Sequence, residues 1–234
     1  MRNPLIVALD MPDADRALAL AARLAPVVGA VKVGLELFTA AGPDMVRRLR
    51  AAGAAVFLDL KLHDIPHTVA RAVEAAVRLD VQMLTVHTSG GRDMLAAAEQ
   101  AARAEARRRG QDPPLVLGVT VLTSLDDTSL AEVGVASGVA TQVERLARLA
   151  VGTGLRGLVC SPLELPVLRA ALPRGIRLVT PGIRPPGTDA GDQKRTLGPR
   201  EAVAAGGDWL VVGRPILAAP DPRAAAEQIL AALA

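Results

Sequence analysis

From Ala54 to Val73 the chain reads AAVFLDLKLHDIPHTVARAV, an apolar run into which Asp59, Lys61, His63 and Asp64 are set within six residues. Asp59 and Lys61 are two apart, so on a strand their side chains project to the same side. Asp64 follows the strand and precedes Pro66, a residue suited to the first position of a helix. Two carboxylates can thus flank one amine. Lys32, in AVKVG, adds a second amine if its strand is a neighbour. The four would make an alternating row of Lys, Asp, Lys and Asp, each charge neutralised by the next, with Lys61 held as a proton donor in a dry pocket. The competing reading is structural: Asp64 helps cap the following helix, and Asp59 with Lys61 is an ion pair at a strand end.

Lysine is scarce in this sequence. Of 27 basic residues 24 are Arg, and Lys occurs only at 32, 61 and 194. An ammonium can give up a proton where a guanidinium does not, so the three exceptions point towards chemistry. A second constellation lies in PGIRP, Pro181 to Pro185, and VVGRPI, Val211 to Ile216. Glycine and arginine just after a strand suit a phosphate dianion, bound by backbone N–H groups and a basic side chain, here Arg214 and Arg184. Ordinary turn glycines beside surface arginines are the alternative. His63, His67 and His87 read as hydrogen-bonded structural histidines. The first two straddle a strand-to-helix junction and make no convincing zinc set.

The elements that must position these groups are legible as short β-branched runs alternating with Ala/Leu/Arg helical patterns. Strands are expected at 5–9, 30–33, 55–60, 83–87, 115–119, 157–160, 177–180 and 209–212. Helices are expected near 13–25, 43–52, 66–79, 92–109, 139–151, 163–171, 199–205 and 223–233. Eight strand-helix pairs predict an α/β fold, a (β/α)8 TIM barrel, as a single domain over residues 1–234. An open doubly wound sheet is the runner-up. The Pro/Gly-rich stretch 181–195 reads as a mobile loop over a site rather than a linker. Barrels gather function at the C-terminal ends of their strands. Asp10, Lys32, Asp59, Lys61, His87, Thr120, Thr123, the Pro181 to Arg184 turn, Gly213 and Arg214 all fall there.

Composition narrows the classes. No apolar run reaches the roughly 18 residues of a membrane span, and Asp10 interrupts the N-terminal apolar run before it could act as a secretory segment. A cytoplasmic protein is expected, with no membrane partner. Cys160 is the only cysteine, so no intrachain disulfide can form, and it reads as an inert buried thiol. A formal charge of +3 raises nucleic acid as a partner. Phe38, Phe57 and Trp209 are the only Phe, Tyr or Trp residues, too few for a stacking platform. The run RAEARRR, Arg103 to Arg109, reads as a solvated helix face that includes Glu105.

In chain order the segments LIVALD, VKVGLELF, FLDLKLHDIPHTV, VHTSGG, VTVLTS, TPGIRP, GDQKR and VVGRPI make nearly the whole sequence resemble the orotidine 5'-phosphate decarboxylase family, of the bacterial type. Leu62 stands where an aromatic residue is common and His67 where Asn is usual. The resemblance implies decarboxylation of orotidine 5'-phosphate to UMP and CO2 in pyrimidine nucleotide synthesis, with no cofactor and no metal. It implies Lys61 as proton donor to C6, Asp59 against the departing carboxylate, and Lys32 and Asp64 completing the charged row. Asp64, Ile65 and Thr68 would enter from the second subunit of a homodimer. Asp10 and Lys32 would hold the ribose, Thr123 and Ser124 would face the base, and Gln193 would bridge base and phosphate. Arg214, Gly213 and Arg184, with Pro181 beside them, would bind the phosphate end. A sister enzyme on the same barrel, holding Mg2+ through a carboxylate such as Glu36, is the nearest rival. A non-catalytic nucleotide- or RNA-binding barrel is a second.

Overall fold

The computed structural model describes residues 3–185 and 195–233. Eight parallel strands close into a barrel in sequence order, each hydrogen-bonded to the next and β8 back to β1. They are β1 (Leu5–Ala8), β2 (Ala30–Gly34), β3 (Val56–Leu62), β4 (Met83–His87), β5 (Leu115–Val119), β6 (Gly157–Val159), β7 (Arg177–Thr180) and β8 (Trp209–Val212). The expected TIM barrel is the fold found, not the doubly wound sheet.

Helices pack around it, and their ends follow local chemistry. Helix α1 (Ala14–Leu24) begins where the Asp13 carboxylate accepts from the Asp15 and Arg16 N–H groups. Helix α2 (Leu35–Ala51) starts well before the expected residue 43, because two helical stretches meet at Gly42 (φ 64°) and Pro43, a pair that in the sequence resembles a helix start. Helix α3 (Pro66–Arg78) opens on its proline. Then come α4 (Gly91–Arg108), α5 (Asp127–Glu132), α6 (Val139–Gly152), α7 (Leu165–Ala171), α8 (Pro199–Ala204), α9 (Arg214–Leu217) and α10 (Pro222–Ala231). The short α5 and α9 were not expected, and a 3-10 turn over Pro162–Glu164 takes the start of the helix expected from 163.

Strand periodicity divides the core in two. Ile6, Ala8, Ala30, Phe57, Met83, Leu117, Val179 and Val211 fill the barrel interior, while a larger apolar layer lies between barrel and helices. Two residues beyond Ala30, Phe57 and Met83, on the same face, stand Lys32, Asp59 and Thr85. The apolar floor thus gives way to a polar layer at the C-terminal mouth. The outer layer is less complete behind β3, where a cavity of about 350 Å3 opens between Phe38 of α2, Leu60 and Leu62 of β3, and Leu79 after α3.

The basic run on α4 differs from its expected form. Arg103 and Arg108 are exposed, but Glu105 is only 5% exposed and accepts from Arg78 of α3 and from Arg108. It is a helix-to-helix tie rather than part of a solvated face.

Candidate active site

Lys32 on β2 is buried, and its Nζ donates to Asp10 Oδ1 at 2.8 Å and lies 3.7 Å from Asp59 Oδ2. Lys61 Nζ donates to both Asp59 oxygens, at 2.9 and 3.0 Å. The result is a continuous row of alternating sign, Asp10, Lys32, Asp59, Lys61. Its centre is dry: the Lys32 and Asp59 side chains are 10% and 13% exposed, against 51% for Asp10 and 31% for Lys61. Charges taken this far from water persist only when neighbours of opposite sign and hydrogen bonds replace hydration.

At its Lys32 end the row has one carboxylate more than expected, and at its Lys61 end the expected Asp64, assigned by the resemblance to a second subunit, is not reached within one chain. Asp10 supplies the outer carboxylate beside Lys32, and among the described residues no ion pair joins Lys61 to Asp64. Asp64 is exposed, its Oδ1 accepting from the Ile65 N–H at 2.6 Å. Ile65 is 67% exposed and Thr68 is exposed as well. All three sit on the outside of their own chain's mouth, because the β3–α3 turn carries them past the rim.

Lys61 also has an unusual backbone. Its φ is +50°, the left-handed region, which costs a non-glycine residue about 1–2 kcal/mol. The β3–β4 ladder pairs Leu58 with Leu84 and next pairs Leu62 with Val86, so residues 59–61 face Thr85 alone. Across this bulge the Lys61 N–H donates to Thr85 Oγ1 at 2.8 Å, and the Thr85 hydroxyl donates to Asp59 Oδ1 at 3.0 Å.

These charges form one wall of a cavity of about 330 Å3 at the barrel mouth. Phe57, Val159 and Val211 make its floor, and Thr123 and Ser124 after β5 line another side. Pro181 and Arg184 after β7, with Gly213 and Arg214 after β8, complete it. The structure therefore brings together Asp10, Lys32, Asp59, Lys61, Thr123, Ser124, Pro181, Arg184, Gly213 and Arg214. Gln193, and most of the 181–195 stretch, lie outside the described residues. Two glycines shape the mouth. Gly182 has φ +77°, which frees the turn to bring Arg184 round, and a Cβ on Gly34 would stand 2.7 Å from Lys32 Nζ and 3.2 Å from Asp10 Oδ1.

The remaining candidates are peripheral. His63 and His87 stack with ring centroids 5.3 Å apart, and His87 Nδ1 lies 2.8 Å from Ser89 Oγ. Burial, then the charges of His63 and Lys61, lower the His87 pKa from its ordinary value. Complete burial pushes the Cys160 thiol up to about 12, as befits an inert thiol. Among the described residues no group of three or more His, Cys, Asp and Glu side chains could hold a metal ion, and Glu36 is exposed on α2, away from the cavity lining. Among the described residues, too, no helix is long and apolar enough to cross a membrane. Sequence reasoning passed over Thr85 and Gly34. The signal for Thr85 was a lone hydroxyl in MLTVH, in step with the interior face.

The family model of the orotidine 5'-phosphate decarboxylase / HUMPS family matches residues 3–229. An orotidine 5'-phosphate decarboxylase of Opitutus terrae is 54% identical over 233 residues, covering 100% of this chain and 99% of its own length. Another, of Paramagnetospirillum magneticum, is 52% identical with the same coverage. The crystal structure of orotidine 5'-phosphate decarboxylase from Lactobacillus acidophilus superimposes with a TM-score of 0.87 at 38% identity, over 99% of each chain. With its closed barrel and its mouth of alternating charges, this chain belongs to the orotidine 5'-phosphate decarboxylase / HUMPS family.

Proposed function

We propose that the protein decarboxylates orotidine 5'-phosphate to UMP and CO2, as a metal- and cofactor-free carboxy-lyase of pyrimidine nucleotide synthesis, with Lys61 as the proton donor to C6. The observation that carries this reading is the Lys61 ammonium, held by Asp59 in the wall of a 330 Å3 cavity that Arg184 and Arg214 also line. Two relatives of that name, more than half identical along the entire chain, support it.

The chemistry explains why such a site is needed. When the bond between C6 and the carboxylate breaks, its electron pair stays on C6 in the ring plane, with no adjacent π system to spread it. The barrier reduction required is on the order of 20 kcal/mol, near the upper end for enzymes. An ammonium fixed in advance stabilises charge as it develops and needs no reorganisation when it does. Lys61 Nζ gives its proton to C6, CO2 leaves, and the neutral amine is reprotonated from solvent. Asp59 sits where the substrate carboxylate must lie, and their repulsion is relieved on the way to the transition state. Asp10 and Lys32 hold the ribose hydroxyls, Thr123 and Ser124 face the base, and Arg214, Gly213 and Arg184 take the phosphate, whose binding energy is spent away from the reacting carbon. Gln193 is assigned to the link between base and phosphate.

The exposed positions of Asp64, Ile65 and Thr68 suit delivery to a second subunit's mouth, so the working unit is proposed to be a homodimer in which Asp64 completes the row beyond Lys61. The rival Mg2+ chemistry is disfavoured by Lys32: its ammonium already stands between the Asp10 and Asp59 carboxylates, where a cation would go. The test is loss of orotate-like absorbance from orotidine 5'-phosphate in the presence of EDTA. Wild-type turnover under those conditions, abolished by Lys61→Ala in a protein that still folds, is the expected result. A wild-type protein that consumes no substrate, or does so only with added Mg2+, overturns the reading.

A further inference from the structure

Thr85 has no part in lining the nucleotide cavity, yet it is the residue through which the strained backbone of the proton donor and the carboxylate beside it are tied to the barrel. We propose that Thr85 is a positioning residue for the decarboxylation, its hydroxyl fixing the Lys61 ammonium and the Asp59 carboxylate in one rigid unit. The inference rests on the reading of Lys61 as proton donor.

Three observations carry it. At the β3–β4 bulge, residues 59–61 have only Thr85 opposite them, so the regular ladder is interrupted at Lys61. The Thr85 hydroxyl bridges that interruption, accepting from the Lys61 N–H at 2.8 Å. The same oxygen donates its hydrogen to Asp59 Oδ1 at 3.0 Å, the oxygen that also takes a proton-bearing contact from Lys61 Nζ at 2.9 Å. One hydroxyl is therefore acceptor to the residue's backbone and donor to its counter-ion. It is 1% exposed, so water does not compete for either bond.

The geometry explains why a hydroxyl is needed and not merely a branched side chain. Lys61 occupies a backbone region that L-residues rarely adopt. Such a conformation persists only where its surroundings over-determine it. Valine would fill the same volume but neither accept nor donate, leaving the bulge free to relax and Asp59 held by the two lysines alone. Serine keeps both bonds and loses only a methyl group. The cavity walls that take base, ribose and phosphate are untouched by either change.

The experiment compares wild type, Thr85→Val and Thr85→Ser in kcat and KM for orotidine 5'-phosphate, Kd for UMP, and thermal midpoint. For Thr85→Val, kcat should fall by about a hundredfold, the scale expected when a reacting group is misplaced by about 1 Å. UMP affinity should stay within about twofold of wild type, since ground-state binding uses other walls. Thr85→Ser should restore most of kcat. The proposal is overturned if Thr85→Val keeps wild-type kcat, if UMP affinity falls in parallel with kcat, or if Thr85→Ser is as impaired as Thr85→Val. A wild-type protein without decarboxylase activity refutes the functional reading itself, an outcome distinct from all of these.

Discussion

Two half-buried aspartates, at opposite ends of the barrel, are each held by two cations, and they serve different ends. Asp208, just before β8, accepts from the Leu178 N–H and from Arg177, both at 2.8 Å, and from Arg169. Arg169 in turn donates to the carbonyls of Gly206 and Ile176. Burial pushes the Asp208 pKa up, but that N–H and the two arginines outweigh it, and the net direction is down. Asp59, at the other end, is gripped by Lys32 and Lys61. A guanidinium fork spreads its donors over several fixed acceptors and keeps its protons, which makes scaffold. An ammonium concentrates its charge and can release a proton, which makes chemistry. Two of the three lysines in the sequence, Lys32 and Lys61, stand on either side of Asp59.

The contrast is best broken by exchanging cations. Lys61→Arg keeps the charge beside Asp59 but removes the proton that can be given up, so turnover should drop by at least about a thousandfold with the thermal midpoint nearly unchanged. Arg169→Lys should do the reverse, costing about 1–2 kcal/mol of unfolding free energy in urea titration through lost hydrogen bonds, with kcat retained. Gly34→Ala sharpens the comparison from the backbone side. The new methyl group must displace Lys32 Nζ, so kcat/KM should fall by about tenfold while stability changes little.

The smallest effect is read in acid. Glu105, tied foremost by Arg108 and also by Arg78, has its pKa lowered from 4.5 to about 2. A folded value below the unfolded one means this carboxylate contributes stability that is fully present above about pH 4.5 and lost as pH falls towards 2. Glu105→Gln should therefore flatten the decline of the thermal midpoint between those limits, and leave turnover at neutral pH as it was.

Much of this organisation can be read from residue types alone. The eight strands announce themselves because parallel strands buried on both faces are β-branched runs, and Asp59 with Lys61 follows from a period of two. The first half of α2 was hidden because Gly42 and Pro43 mimic a helix start, and α5 and α9 are too short to show a period. Asp10 was legible as a strand-end carboxylate but not as a member of the row, because it meets Lys32 only through the pairing of β1 with β2. Thr85 looked like one more strand residue, since a bulge is a property of two strands and cannot be read from either.

The hollow of about 350 Å3 lined by Leu58, Leu60 and Leu62 leaves an unfilled space beside β3, the strand that bears Asp59 and Lys61. Close-packed side chains resist displacement and an unfilled space does not, so β3 has room to shift here. Ala75→Leu, on the α3 side of the hollow, should take up part of that room and slow amide hydrogen exchange along β3.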